Sequence, residues 1–441
     1  MRRGWMLSGV IVLGACGGGA TGADGDGESS ADGSSSVTAA SATSTTSPMT
    51  AGDASASSGV TSPDGDGGDD GPSPVNFDLG GTPDMPPPMC GGKGNVGDTD
   101  LSYIWISNSS QGTISKIDTV TMVEEGRYLA KIANGDPSRT SVNLMGDVAV
   151  ANRSGGGIAK FFADTTTCPD SNGNGAVDTS SGGGDILAWG DEECLAWYTE
   201  LTCGSNRPVA WTRGEWNAQA CTYENIKLWT ACDNQVHRLD GETGVIEDSV
   251  AVPGGNAFVY GGAADGDGNF WGLNTNTSQI FRVDGGDLST GAWQLPANGG
   301  YGIAVDAMGR PWVCGGGSVS RFDIDTAVWD SSAGGFGGIG GCMTDGMGTM
   351  WHDGTNGLLL GFDTETLMVV NQIPLPEYVH GISIDFQGNV WGVSFAGSNA
   401  YRANPATGNV DTFTGLVGAY TYSDMTGFAL SSAGGGGVPP Q

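Results

Sequence analysis

From Tyr103 onward the chain is a succession of short apolar and alternating apolar–polar runs, each bounded by Gly, Asp, Asn or Pro. This is the pattern of β-strands joined by tight turns, and no stretch sustains the 3.6-residue period of a helix. The runs repeat. Asp265-Gly-Asp-Gly268-Asn-Phe-Trp271 is echoed by Asp306-Ala-Met-Gly309-Arg-Pro-Trp312, by Asp345-Gly-Met-Gly348-Thr-Met-Trp351 and by Asp385-Phe-Gln-Gly388-Asn-Val-Trp391, with Trp-to-Trp spacings of 41, 39 and 40. Each unit predicts an apolar strand, a turn carrying Asp and Gly, and a strand carrying Trp.

A second anchor follows each Trp: Ile280-Phe-Arg282-Val-Asp284, Val319-Ser-Arg321-Phe-Asp323, Leu359-Leu-Gly-Phe-Asp363 and Ala400-Tyr-Arg402-Ala-Asn404. Looser copies stand at Ile114–Asp118, Ile158–Lys160 and Val236–Asp240, for seven in all. Its alternation predicts a third strand with one buried face, and pairs such as Val328-Trp329 or Val369-Val370 supply a fourth. Strand repeats at a forty-residue period predict an all-β fold, a β-propeller of four-stranded blades, seven by this count with six as the alternative. A sandwich would not repeat its sequence at fixed period; a solenoid is the weaker alternative. The first unit begins at its Trp strand, Tyr103–Ile106, and the chain ends in an orphan strand at 422–430, so the last strand is expected to close the ring beside the first.

Before the repeats the composition changes. Arg2 and Arg3, the apolar run from Gly4 to Leu13, and Leu13-Gly14-Ala15-Cys16 read as a signal peptide (1–15) ending in a lipobox, with Cys16 as the lipid attachment site. Residues 16–95 are Gly, Ser, Thr, Ala, Asp and Pro with few large apolar side chains, and are expected to form a disordered stalk of roughly 50 Å mean span. The propeller is expected over 96–430, with an insertion in the second blade at about 163–200, and 431–441 as a disordered tail. No later segment is apolar enough to span a membrane, so the membrane is expected to hold the protein by its lipid anchor alone, at the outer membrane or cell surface, as a monomer.

Of 441 residues, 79 are Gly, which suits turns and linker together. The formal charge is −32, and the segment between Arg3 and Lys93 holds acids but no bases. So acidic a chain repels phosphate backbones, which excludes nucleic acid as a partner. Besides Cys16 there are eight cysteines, an even number that predicts disulfides in an exported chain without giving their connectivity. Three histidines and the lack of CxxC spacing argue against zinc.

The repeated G-x-x-x-D-x-x-G-x-x-W unit followed by I-x-R-x-D resembles the streptogramin lyase (virginiamycin B lyase) family and related NHL-type propellers over about 100–430. Together with the lipobox and acidic stalk, it is also similar to surface lipoproteins of myxobacteria-like predatory bacteria. The lyase resemblance implies a metal-assisted elimination on a cyclic depsipeptide, with Glu and His near the central channel. Three residues after each Trp, where the family places a Glu, this chain has Asn108, Cys232, Asn274, Gly315, Gly354 and Ser394; His352 follows Trp351 with no matched Glu. These motifs specify architecture rather than activity.

Two sets of residues stand out as sites. In the second-blade insertion, Asp170, Asn172, Asn174, Gly175 and Asp178 follow a D-x-[DN]-x-[DN]-G-x-x-D spacing that suits Ca²⁺, with Ser181 where a twelfth-position acid would be, Asp185, Asp191 or Glu192 available to complete the shell, and Cys168 and Cys194 as a flanking staple. Five residues before each repeat Asp stand Tyr260, Tyr301, Gly340 and His380; Tyr422 has the same place in the closing strand, and Arg139 and Arg207 start the inner strands of blades two and three. Such positions face the channel mouth and suit a polar or carbohydrate-like ligand. The repeat tryptophans are expected to be inter-blade core rather than a stacking surface. The expected function is a lipid-anchored surface propeller that binds or scaffolds a glycan, peptide or protein, with a lyase-like enzyme using displaced acids as the alternative.

Overall fold

The computed structural model describes residues 102–433 except Ala218 and Asn298. The signal segment, Cys16, the 16–95 linker, Cys90 and residues 434–441 lie outside the described residues.

Among the described residues the strands form seven antiparallel blades. Blade one is Tyr103–Asn108, Thr113–Asp118 and Glu124–Leu129; blade two is Pro137–Val142, Val148–Asn152, Ile158–Phe161 and Leu195–Thr199. Blade three is Asn206–Trp211, Lys227–Cys232, Gln235–Asp240 and Ile246–Ala251; blade four is Val259–Ala264, Phe270–Asn274, Gln279–Val283 and Thr290–Gln294. Blades five, six and seven follow as Gly302–Val305 to Val328–Ser331, Cys342–Thr344 to Val369–Pro374, and Val379–Ile384 to Val410–Ala419. Innermost strands such as Val379–Ile384 are buried along their whole length, whereas outer strands such as Thr290–Gln294 alternate between half-buried and exposed positions. The gradient is that of strands radiating from a central channel.

The repeats have a direct structural cause. Each repeat Asp divides its two oxygens. In Asp306, Oδ1 accepts the backbone N–H groups of Met308 and Arg310, while Oδ2 accepts the indole N–H of Trp312 at 2.9 Å. Asp265 and Trp271, and Asp385 and Trp391, do the same at 2.9 Å. The intervening glycines take positive φ, +80° at Gly268 and +76° at Gly309, where a side chain would be strained. Asp and Gly thus close the turn, and Asp also satisfies the one polar atom of a fully buried indole. Trp271, Trp312, Trp351 and Trp391 are at most 1% exposed, so they are core, as expected.

The second anchor ties blades to one another. Lys116 donates to the Ala163 carbonyl at 2.7 Å, Lys160 to Gly241 at 3.3 Å, Arg238 to Gly285, and Arg321 to Thr364 at 2.6 Å. Each cation reaches the turn between the third and fourth strands of the next blade. Arg402 ties blade seven to blade one by bonding Thr119 and Val120, whereas Arg282 of blade four turns to its own Asp284 and blade six has Gly361 at this position. The Asp ending the motif caps the turn of its own blade, as Asp363 does for Glu365 and Thr366.

Closure follows the expected route with a different end. Ala419 pairs with Asn108, the Tyr420 N–H donates to the Ser107 carbonyl at 3.2 Å, and the Trp105 N–H donates to Met425 at 2.9 Å. Residues 422–430 do not form the continuous strand expected of them. Asp424 accepts the N–H groups of Thr426 and Gly427, Gly427 turns with φ +85°, and Phe428–Ala433 form helix α1. In a strand, Phe428 and Leu430 would share one face. The helical turn sends Phe428 against Phe386 in one core and Leu430 against Trp211 in another. The expected tail boundary therefore moves, because 431–433 belong to the helix.

Two insertions depart from the regular blade. The blade-two insertion ends earlier than expected, since Leu195–Thr199 is that blade's outer strand. Blade three carries an unforeseen hairpin, Glu215–Asn217 with Thr222–Glu224. Disulfides join Cys168 to Cys194, Cys203 to Cys232 and Cys314 to Cys342, and Cys221 is disulfide-bonded as well. Such cross-links belong to an extracytoplasmic setting. Among the described residues no helix is long and apolar enough to cross a membrane.

Candidate functional site at the channel mouth

The inner strands begin irregularly, and the irregularities carry the site. In blade four the register passes from Val259 opposite Asn274 to Gly261 opposite Leu273, leaving Tyr260 as the extra residue of a bulge. Blade seven does the same at His380, and blade two at Ser138, just before Arg139. In blade three the shift spans Arg207. A bulge re-aims its side chain and is common beside binding sites. Here blades four and seven place a ring at the bulge, and in blades two and three the irregularity lies beside Arg139 and across Arg207.

The side chains converge. Tyr260, Tyr301, Tyr420 and Tyr422 join their hydroxyls in one network: Tyr260 donates to Tyr301, both lie 2.6 Å from the Tyr420 oxygen, and Tyr422 lies 3.1 Å from Tyr420. His380 Nε2 stands 3.0 Å from the Tyr301 hydroxyl, and its Nδ1 stands 3.1 Å from that of Tyr378. The Arg139 guanidinium lies 3.3 Å over the Tyr422 ring and donates to the Tyr260 carbonyl at 2.8 Å. Arg207 lies 4.5 Å over the Tyr260 ring, and Arg153, paired with Asp136, lies 4.4 Å over Tyr420. All six mouth residues singled out in the sequence are thus brought together. Gly340, the blade-six member of the series, has no side chain because none fits: a Cβ there would meet the His380 carbonyl and the Asp353 carboxylate.

Burial sets the charge states. It pushes the His380 imidazole down to about 4, with Asp353 opposing and Arg139 reinforcing, so the ring is neutral at pH 7. Burial likewise pushes the Tyr301 and Tyr422 hydroxyls up. Tyr420 differs. Burial works against its ionisation, but its hydrogen bonds with Tyr260, Tyr301 and Tyr422, together with the Arg207 charge, outweigh it and set this hydroxyl below the ordinary tyrosine value. Asp353 is buried, accepts the Gly340 N–H at 2.7 Å, and lies 3.0 Å from His352 Nδ1.

Several members escaped the sequence reading: Tyr420, Tyr378, Phe258, Phe395, Arg153 and Asp353. The first three share a legible signal. Phe258-x-Tyr260, Tyr378-x-His380 and Tyr420-x-Tyr422 are pairs spaced by two, which a strand places on one face. The lyase-equivalent positions do structural work instead: Asn108 accepts the Val417 N–H at 2.8 Å, Asn274 accepts that of Phe258 at 3.1 Å, and Cys232 is in a disulfide.

Structural comparison settles the architecture. A streptogramin B lyase superposes with a TM-score of 0.51 at 15% identity, covering 70% of this chain and 92% of its own. The fold is a streptogramin-lyase-like β-propeller. An inactive virginiamycin B lyase variant from Staphylococcus aureus with quinupristin scores 0.44 at 14% identity, covering 63% of this chain and 84% of its own. The Cps50 (Swd1) propeller domain of Myceliophteria thermophila scores 0.48 at 13%, covering 66% and 90%. The chain matches no protein-family profile and no curated protein. Identities this low speak to the propeller alone.

The blade-two loop is built as a closed polar turn. Asp170 accepts the N–H groups of Gly173, Asn174 and Gly175, and the Asn172 and Asn174 amides donate to Asp178 Oδ2 at 2.7 and 2.8 Å. Glu193, unnoticed in the sequence, holds the loop from beneath by accepting the N–H groups of Ser171, Asn172 and Asp178. Asp185 and Glu192 are turned to backbone N–H groups of Ser181 and Ser180. Among the described residues no three His, Cys, Asp or Glu side chains gather as a metal cluster.

Proposed function

We propose that this chain is a lipid-anchored surface protein that binds a ligand at the mouth of its propeller channel. The observation that carries the reading is the convergence of Arg139, Arg207, Tyr260, Tyr301 and His380 from the inner-strand starts of five blades with Tyr422 of the closing segment, bulges falling at or beside four of them. Structural packing does not require polar side chains to meet at one spot. Their meeting there, with aromatic faces and hydroxyls presented together, is the usual make-up of a small-ligand site. Among the described residues, Asp353 is buried against Gly340 and His352, and Asp136 is paired with Arg153; this supports binding over a lyase-type elimination needing several free acids. Anchoring through Cys16 rests on the lipobox spacing, and calcium in the blade-two loop rests on the spacing of Asp170, Asn172, Asn174 and Asp178.

A glycan and peptide array probed with the wild type and with Tyr260→Ala/His380→Ala tests the reading. A ligand retained by the wild type and lost by the folded variant supports it; a ligand retained equally by both moves the site elsewhere. Fractionation of Cys16→Ser tests the anchor, whose loss should free the protein from membranes.

A further inference from the structure

Arg139 and Arg207 are 1% and 5% exposed. Among the described residues neither is joined to a carboxylate, although acids outnumber bases 49 to 17 in the chain and Lys116, Arg127, Lys160, Arg238, Arg321 and Arg402 all have one. The Nε of Arg139 and the Nε and Nη1 of Arg207 are buried without any hydrogen-bond partner. A buried guanidinium is costly unless an anion or a full set of acceptors meets it. The rings of Tyr422, Tyr260 and Phe258 offset part of that cost through their faces, but they accept none of these N–H groups. Of the carboxylates near the mouth, Asp353 bonds Gly340 and His352 through Oδ1, its Oδ2 being buried without a hydrogen-bond partner, and Asp136 is taken by Arg153. An acidic molecule has thus kept a cationic spot at the mouth of its channel.

We propose that the ligand bound there carries a carboxylate, received by Arg207 and Arg139, on a sugar ring that lies against the aromatic wall: an acidic, uronate-type glycan. This deepens the binding reading above and rests on it. The carboxylate follows from guanidinium groups lacking acceptors, for which a carboxylate is the natural complement. The sugar follows from what surrounds them. Four tyrosine hydroxyls and a neutral imidazole bring together donors and acceptors suited to sugar hydroxyls, and half-exposed Phe395, packed beside His380 and Tyr420, offers flat apolar surface.

The test is calorimetric titration of the full chain with trigalacturonate, with the same trisaccharide after its carboxyl groups are reduced to alcohols, and with inorganic phosphate. The expected result is saturable binding of trigalacturonate, weakened about tenfold or more by the reduction and by Arg207→Gln, and weakened by added salt. Arg207→Lys, which keeps the charge, should recover part of the loss; circular dichroism on each variant checks the fold. Equal binding of acidic and reduced trisaccharides would overturn the carboxylate and leave the mouth as a site. Binding of phosphate alone would overturn the acidic sugar. Binding of trigalacturonate unaffected by Arg207→Gln and by Tyr260→Ala/His380→Ala would overturn the location, and binding of none of the three would overturn the ligand class.

Discussion

Arg139 and Tyr422 meet twice: the guanidinium lies 3.3 Å above the ring, and the two backbones form a parallel bridge. The contact joins the inner strand of blade two to the segment that closes the ring. The same segment therefore completes the fold and builds the mouth.

Ending the chain after Thr421 should open that ring. It removes Tyr422, Met425, Phe428 and Leu430, all buried, together with the Met425 carbonyl that Trp105 uses. At 1.5–3 kcal/mol per fully buried apolar side chain the loss is roughly 5 kcal/mol or more, with newly exposed strand edges. Thermal melting and sedimentation read it out; a truncated monomer that melts with the full chain would contradict this account of closure.

The buried repeat aspartates should each be worth more than a single turn hydrogen bond. Asp306→Ala removes the turn acceptor, the acceptor of a buried indole N–H and the partner of Arg310 at once. The expected destabilisation is about 2–4 kcal/mol. Asp306→Asn, which keeps one oxygen, should lose less. Chemical denaturation of the three proteins gives the order, and an alanine variant as stable as wild type would rule the explanation out.

The blade architecture was legible because its cause is local. A turn needs Asp and Gly at fixed offsets, a buried Trp needs an acceptor, and both recur at every blade. The mouth was half legible: Tyr260, Tyr301 and His380 share one offset from the repeat Asp, whereas Asp353 replaces a side chain missing at Gly340 and could be found only once the strands were paired. The end of the chain was misread because apolar spacing at Phe428 and Leu430 fits a strand as well as a helical turn. What decides is that the two side chains enter different cores, and that is a tertiary fact.

Acid should weaken the mouth through His380. Its folded value, about 4, lies below the ordinary 6.5, so the unfolded chain takes up the proton first. The stability that His380 contributes is full above about pH 6.5 and is lost as pH falls toward 4, by an amount of order 3 kcal/mol. Buried Asp424, raised to about 6, works in the opposite direction over an overlapping range. Comparison with His380→Gln cancels that common part. The variant's stability, measured by denaturation from pH 7 to 4, should fall less than the wild type's; parallel curves would contradict the neutral, buried imidazole.

Calcium should raise the melting temperature by a few degrees through the blade-two loop. Without a twelfth-position acid the site belongs to the weak class, with a Kd of about 10⁻⁴–10⁻³ M, and its effect grows as RT ln(1 + [L]/Kd). Asp170→Ala/Asp178→Ala should abolish the difference between calcium and chelator while leaving the blades folded. An identical response in both proteins would reduce the loop to a polar turn braced by Glu193.

The most direct measurement is an experimental structure of the full chain purified from its native membranes. The account predicts density for a bound molecule at the channel mouth, in contact with Arg207, Tyr260 and His380, with the tyrosine hydroxyls turned toward it. Density for a bound molecule on the outer strands or the blade-two loop, with the four hydroxyls still bonded to one another, would contradict it.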